Sequence, residues 1–292
     1  MFGAIIIGLL ATTLFVKLSS MEKLEIHLGE GVPPAVEKSF NVLIPMLLTL
    51  GGFALVALAL NAFAGTDLIT LINTWIQTPL RAVVTSLPGL VFVYCLGTFL
   101  FTLGIHQTTI NGVLVEPILT IVLLENTALF QAGKAIPVEN YMNMDIINVF
   151  ALTGGSGCTL ALLIATFIWG KYKPSKEVAK MAFLPGIFNI NEPVIYGYPV
   201  VYNVPLMVPF VGCVAVNIIV SYLATVAGII APCVIQVPWT TPIFASSFLA
   251  TGGDVRAVVL QAVLLVIDIL FYLPFMKASE TSLKRQAELA GE

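Results

Sequence analysis

Long apolar runs, separated by short polar clusters, organise this chain from end to end. A helix rising 1.5 Å per residue needs about 20 apolar residues to cross a hydrocarbon core. By that measure the pattern predicts crossings at roughly 2–18, 40–64, 84–105, 108–131, 145–170, 206–231 and 256–276. The segment 20–38 is polar and carries Pro33-Pro34, which predicts a short interfacial amphipathic piece. The stretch 67–80 alternates, with Leu68, Leu71, Ile72, Trp75 and Leu80 apolar, and predicts a second helix lying at the membrane surface. Segments 108–131 and 183–205 have the marks of re-entrant hairpins; Glu116-Pro117 and Glu125-Asn126 leave the crossing of the first open. The expected fold is an all-α integral membrane protein with about seven transmembrane helices, re-entrant hairpins and interfacial amphipathic helices.

Composition agrees. Hydrophobic residues make up 58% of the 292 and charged residues 10%, against about 45–50% and 25% in soluble domains. The net charge of −3 comes mostly from short loops and the tail, and no basic stretch suits nucleic acid. Cys95, Cys158, Cys213 and Cys233 are scattered through or beside apolar runs without Cys-x-x-Cys spacing, and read as small packing residues. Phe2–Val16 is apolar but lacks the basic start and small-residue cleavage pattern of a signal peptide.

Residues 185–210 are the most informative stretch. They are membrane-like in composition, yet hold Glu192, Asn189, Asn191, Asn203 and prolines at 185, 193, 199, 205 and 209. Proline removes backbone donors and prevents one continuous helix. A charged side chain at bilayer depth costs roughly 2.5–3.5 kcal/mol and usually faces a cavity or partner. Irregular backbone at that depth is tolerated where it lines a cavity or is buried in protein. A broken segment with polar groups at its break is how a transporter builds a solute site. A Pro-rich loop outside the membrane fits poorly, because Val194–Tyr202 and Val204–Phe210 are too apolar.

Lysine and arginine in short loops set orientation. Lys171, Lys173, Lys176 and Lys180 follow the 145–170 run; Lys277, Lys284 and Arg285 follow the last. Both places are expected to be cytoplasmic, which requires an even number of crossings between them. The runs 206–231 and 256–276 supply two, so the Asn-Glu-Pro segment should enter and leave on one side. The loop 232–255 then lies outside or dips back in, as Pro238-Trp239-Thr240-Thr241-Pro242 suggests. With seven crossings the first residue lies outside without a signal peptide, the pattern of a membrane protein lacking an odd number of N-terminal helices.

Four motifs occur in one order: Val32-Pro33-Pro34-Ala35-Val36 leading to Leu43-Ile44-Pro45, Gly104-Ile105-His106, the Asn-Glu-Pro segment, and Pro238-Trp239-Thr240-Thr241-Pro242. Thr251-Gly252-Gly253-Asp254 through Tyr272-Leu273-Pro274-Phe275 follows the same pattern. Together they resemble the membrane-embedded IIC component of a phosphoenolpyruvate-dependent sugar phosphotransferase system, in its lactose, cellobiose and diacetylchitobiose group. Members have about ten transmembrane helices, and this chain resembles them from near the fourth. Gln107 stands where a glycine often follows the histidine, and Phe101 where a tryptophan is frequent.

The resemblance implies a multi-pass protein of the bacterial cell membrane, with no cofactor. Residues 1–80 would be the remnant of an N-terminal dimerisation half and 81–292 the substrate-binding part of one IIC-type domain. Its substrate would be a β-linked disaccharide, and its partners the phosphorylated IIB and IIA proteins, the lipid bilayer and a second copy of the chain. His106 and Glu192 would orient the sugar hydroxyl that is phosphorylated; a general-base role for either stays open. Asn189 and Asn191 would bind hydroxyls, while Trp239 and Phe101 would cover ring faces. None of the cysteines suits a phosphoryl carrier, since a carrier thiolate must reach a soluble donor; the phosphate must come from a IIB protein. Trp239 also fits an interfacial belt, His106 a helix-packing donor, and His27 a solvated position. Asn203 fits a partner for backbone freed near Pro205, and Glu116 and Glu125 internal stabilisers of a hairpin. Two other functions remain open: a proton-coupled secondary transporter using Glu192 and His106 as relay groups, and a truncated remnant that does not transport.

Overall fold

The computed structural model describes residues 2–26, 34–198 and 200–290. His27, Val32, Pro33 and Pro199 lie outside the described residues, so the expectations resting on them are not addressed. Among the described residues there are helices and turns and no strand. The chain divides into two compact units, residues 1–80 and 81–292.

The first unit holds α1 (Phe2–Ser19), α2 (Pro34–Asn41), α3 (Leu43–Ala64) and α4 (Leu68–Ile72). Helix α3 ends on Gly65, whose φ of 60° lets its N–H donate back to the Asn61 and Leu60 carbonyls. Asp67 then starts α4 by accepting from the Ile69 and Thr70 amides and the Thr70 hydroxyl. Helix α1 packs on α3 and α4.

The second unit contains most of α5 (Thr78–Val84), then α6 (Leu87–Thr102), α7 (Glu116–Gln131), α8 (Thr159–Trp169), α9 (Lys173–Ile187), α10 (Glu192–Gly197), α11 (Val204–Val226), α12 (Ala245–Ala250) and α13 (Val255–Ala290). Helix α11 is its axis, packed against both α6 and α13, and α8 packs on α13 and α9. Lipid tails are as apolar as leucine, so close packing and hydrogen bonds hold such helices together. Accordingly a Cβ at Gly212 of α11 would stand 2.6 Å from the Phe271 ring of α13.

Among the described residues four helical segments are long and apolar enough to cross a membrane, one of them, Ile146–Trp169, only if its two parts are taken together, or up to six if two bent pairs each count as one. The shorter Gly3–Ser19 is also apolar, so the expected seven apolar segments are all helical. One departs from expectation: 145–170 is not a single helix. A π-helical turn at Ile146–Ala151 is followed by an irregular turn through Gly154, Gly155, Gly157 and Cys158, all at positive φ, before α8 begins. The Asn-Glu-Pro stretch is helix, break, helix: α9 stops at Ile187, α10 starts at Glu192 with Pro193 in its first turn, and α11 follows a second break with Pro205 in its first turn, while Pro185 and Pro209 lie inside α9 and α11.

The two lysine-bearing segments meet at one end of this unit. The amides of Lys171 and Tyr172 donate to the Glu280 carboxylate of α13 at 2.8–3.1 Å. Asn203 donates to Ser279 at 2.8 Å, a helix-to-helix bond instead of the expected one to nearby freed backbone. The 171–172 turn and the 279–280 part of α13 therefore lie together at one end of this unit.

Candidate functional site

A cavity of about 390 Å³ opens where the helix breaks converge, within the usual range for small-molecule sites. It is lined by His106, Gln107 and Thr108; by Glu116; by Met144, Asn148 and Leu152; by Gly155 and Ser156; by Asn189, Asn191 and Glu192; and by Trp239. Five of the six expected site residues thus share one cavity. Phe101, expected to cover a sugar ring, is 4% exposed and absent from the lining. It packs behind His106 with ring centroids 4.5 Å apart, and edge-on to Phe210 at 6.0 Å.

His106 follows the end of α6, where the Tyr202 amide donates to the Thr102 carbonyl and the Tyr202 hydroxyl to that of Leu103. Those bonds tie the second break of the Asn-Glu-Pro stretch to the approach to His106. The Thr108 amide donates to His106 Nδ1 at 3.3 Å, and the Thr108 hydroxyl lies 2.8 Å from the same nitrogen. An Nδ1 that accepts leaves the proton of the neutral ring on Nε2. The imidazole therefore offers the cavity a donor, with Phe101 fixing its plane.

Glu192 begins α10 behind Asn191 and ahead of Pro193. Its side chain is exposed, and among the described residues no hydrogen bond occupies the carboxylate. The two asparagines behave differently. Asn189, at φ 62°, donates to the Trp239 and Thr241 carbonyls at 2.8 and 3.2 Å and accepts from the Gly154 amide at 2.8 Å. Asn191 donates to the Ser156 carbonyl at 2.8 Å. Both amides fasten the Asn-Glu-Pro break to the glycine-rich turn and the Trp239 loop. Gly155 is needed there: a Cβ would stand 2.6 Å from Asn191 Cγ and 2.8 Å from the Asn189 carbonyl oxygen.

The Trp239 loop is anchored along its length. Asp254 accepts from the Ala231 amide at 2.7 Å, and the hydrogen bond from Arg256 holds its carboxyl below the ordinary aspartate range. Asn126 and Asn143 donate to the Cys233 carbonyl, and Gln261 accepts from the Phe244 amide. Trp239 itself is 55% exposed on the cavity. Glu125 does not stabilise its own hairpin internally: it pairs with Arg81 of α5 through two bonds of 2.7 and 2.6 Å and takes a third from Asn140.

Asn148, Ser156 and Glu116 were not assigned to the site from sequence. Asn148 lies on the π-helical turn at Ile146–Ala151, and a second such turn, Asn111–Val115, directly precedes Glu116. One extra residue per turn re-aims side chains and recurs at functional sites, but it leaves no mark in hydropathy. Among the described residues no group of three or more His, Cys, Asp or Glu could hold a metal ion. Cys158, Cys213 and Cys233 are buried, Cys95 is half-buried, and all four are free.

The cavity opens where several membrane-type helices break and presents a carboxylate, an imidazole, amides and an indole, the arrangement of a membrane protein with a polar-lined cavity. The chain belongs to the phosphotransferase system EIIC family, whose model matches residues 1–213. It is 34% identical to the lichenan permease IIC component of Bacillus subtilis, over 99% of this chain and 64% of that one. It is 33% identical to the cellobiose-specific EIIC component of Lactococcus lactis, over 95% and 60%. The crystal structure of ChbC, the IIC component of the N,N'-diacetylchitobiose-specific phosphotransferase system, matches with a TM-score of 0.88 and 34% identity, covering 99% of this chain and 66% of that one. The chain spans a little under two thirds of the length of these relatives.

Proposed function

We propose that this chain forms the sugar path of a permease that moves a β-linked disaccharide across the bacterial plasma membrane while a IIB partner, charged by IIA, phosphorylates it. The observation that carries this reading is the pairing of His106 and Glu192 on one cavity with the Trp239 indole at its wall. A disaccharide offers hydroxyl edges and apolar ring faces. The Nε2–H of His106 donates to a hydroxyl oxygen, the Glu192 carboxylate accepts that hydroxyl's proton, and Trp239 covers a ring face. In the transfer step the hydroxyl oxygen attacks the phosphorus of a phosphocysteine on IIB, the S–P bond breaks, the thiolate leaves, and Glu192 is placed to receive the proton. Phosphoryl transfer needs mainly in-line positioning and charge stabilisation, and this chain supplies the positioning. Relatives named for lichenan, oligo-β-mannosides and cellobiose favour a β-linked substrate. Residues 1–80, a separate compact unit with many exposed apolar side chains, are the part we assign to pairing with a second copy.

The test uses membrane vesicles containing the full chain, labelled cellobiose, phosphoenolpyruvate and the soluble phosphotransferase proteins. Cellobiose phosphate should appear inside at the rate of uptake, and collapse of the proton gradient should leave it unchanged. Uncoupler-sensitive accumulation of unmodified cellobiose would replace this reading with proton-coupled transport. No uptake under either energy source would mark a remnant.

A further inference from the structure

Asp145 is a carboxylate with no solvent exposure that lies outside the cavity and has no part in the chemistry above. Its backbone N–H donates to Asn143 Oδ1 at 3.1 Å, and its Oδ2 accepts the Val237 amide at 3.2 Å. Asn148, which lines the cavity, lies beside the same carboxylate. No cation pairs with it among the described residues. Taking an unpaired carboxylate out of water is costly, so one kept there is expected to do something its apolar neighbours cannot.

Two residues beyond Val237 stands Trp239. On its other side Trp239 is held through its own carbonyl by Asn189. Upstream of Val237 the Ala250 carbonyl holds the loop, accepting from the Val234 and Ile235 amides, beside the Asn126 and Asn143 bonds to Cys233. The Val237 amide is therefore the point where the loop turns from that anchor toward the cavity, and Asp145 is the side chain that fixes it.

We propose that Asp145 is a positioning residue: through the Val237 amide it sets where the Trp239 indole stands against the sugar ring. The proposal rests on the reading of the cavity as a sugar site. Asp145 touches no substrate. It acts through the loop, and its effect should therefore vanish when Trp239 is gone.

The test is a double-mutant cycle on the full chain in detergent, reading the equilibrium binding of labelled cellobiose. Asp145→Asn keeps an oxygen for the Val237 amide and should bind within about 3-fold of the parent. Asp145→Leu keeps the branched shape and removes the acceptor, and should weaken binding about 10-fold, in the range expected for an orphaned buried amide. Trp239→Ala should weaken binding by a similar factor. The double variant should be no more than about 3-fold weaker than Trp239→Ala alone, since contacting or coupled residues are non-additive. With Trp75 and Trp169 replaced by phenylalanine, Trp239 is the only indole, and its emission response to cellobiose should be kept in Asp145→Asn and lost in Asp145→Leu. If the leucine variant does not give monodisperse protein, Asp145→Ser, whose hydroxyl is too short to reach, takes its place.

Losses that multiply in the double variant would overturn the proposal while leaving the cavity reading intact. An Asp145→Asn variant as weak as Asp145→Leu would do the same. Unchanged cellobiose binding by Trp239→Ala would overturn the cavity reading and this proposal with it.

Discussion

Helices α3 and α11 are almost equally long, 22 and 23 residues, and both are apolar enough to cross a membrane. Yet only 11% of the span containing α3 is buried inside the protein, against 44% for α11. Hydropathy cannot tell them apart. Small and polar residues on one face can. Helix α11 carries Gly212, Cys213, Asn217 and Ser221 toward its neighbours: Asn217 donates to Asp268 of α13 at 2.9 Å and to Cys158 at 3.3 Å, and Gly212 admits Phe271. The glycines of α3, Gly51 and Gly52, have nothing within 4 Å of a would-be Cβ. The comparison teaches that crossing a membrane and building a site in it are written in different residues: the first in bulk apolarity, the second in where apolarity is interrupted.

The largest expected effect is at the Gly157 contact with α11. A Cβ there would stand 2.2 Å from Phe210 in a backbone at φ +70°. Gly157→Ala should cost about 2–5 kcal/mol from overpacking plus a left-handed non-glycine residue, and should abolish cellobiose binding. A variant that unfolds and binds like the parent would show that the glycine turn does not shape the cavity. Glu192→Gln should weaken sugar affinity about 10-fold to 150-fold, the worth of a hydrogen bond to a charged group, with normal membrane expression; full uptake would move the site elsewhere. Asn217→Ala leaves the Asp268 carboxylate without its amide and should lower stability by about 1–3 kcal/mol, read by thermal unfolding in detergent. Leu55→Ala on α3, at a residue 68% exposed, should change it by less than about 0.5 kcal/mol. Equal losses at these two positions would break the comparison. One effect has the opposite sign: Gly51→Ala should stabilise α3 by up to about 1 kcal/mol.

Most of the helices were legible because length and apolarity set them, and the break around Glu192 was legible because proline forbids a continuous ladder. The break at 152–158 was not. Gly154, Gly155 and Gly157 sit inside an apolar run, and a hydropathy window averages over the positive φ they adopt. Glu192 is legible from residue type, because a carboxylate inside a membrane is costly; His106 and Trp239 are legible only through the family resemblance, and all three line one cavity. The resemblance implies that Asn189 binds sugar hydroxyls; that its amide is committed to Gly154, Trp239 and Thr241 depends on segments 35 to 52 residues away. The packing of Phe101 behind His106 is equally hidden in the sequence, since an aromatic residue can face a ring or back a histidine.

Helix α13 has 36 residues, which at 1.5 Å each is about 54 Å, far more than the roughly 30 Å hydrocarbon core. Even a tilt of 40° lets the core take up only about 39 Å of it, leaving on the order of ten residues in water. That surplus is no loose tail, because Ser279 and Glu280 are bonded to Asn203 and to the 171–172 turn. These bonds bring the start of the segment carrying Lys171, Lys173, Lys176 and Lys180 against the end of α13, which carries Lys277, Lys284 and Arg285, with Lys180 itself paired to Glu177. A basic residue near an anionic leaflet is worth about 1 kcal/mol, so in the orientation expected from the sequence this end of the finished fold, and not only the nascent chain, would favour the cytoplasmic face.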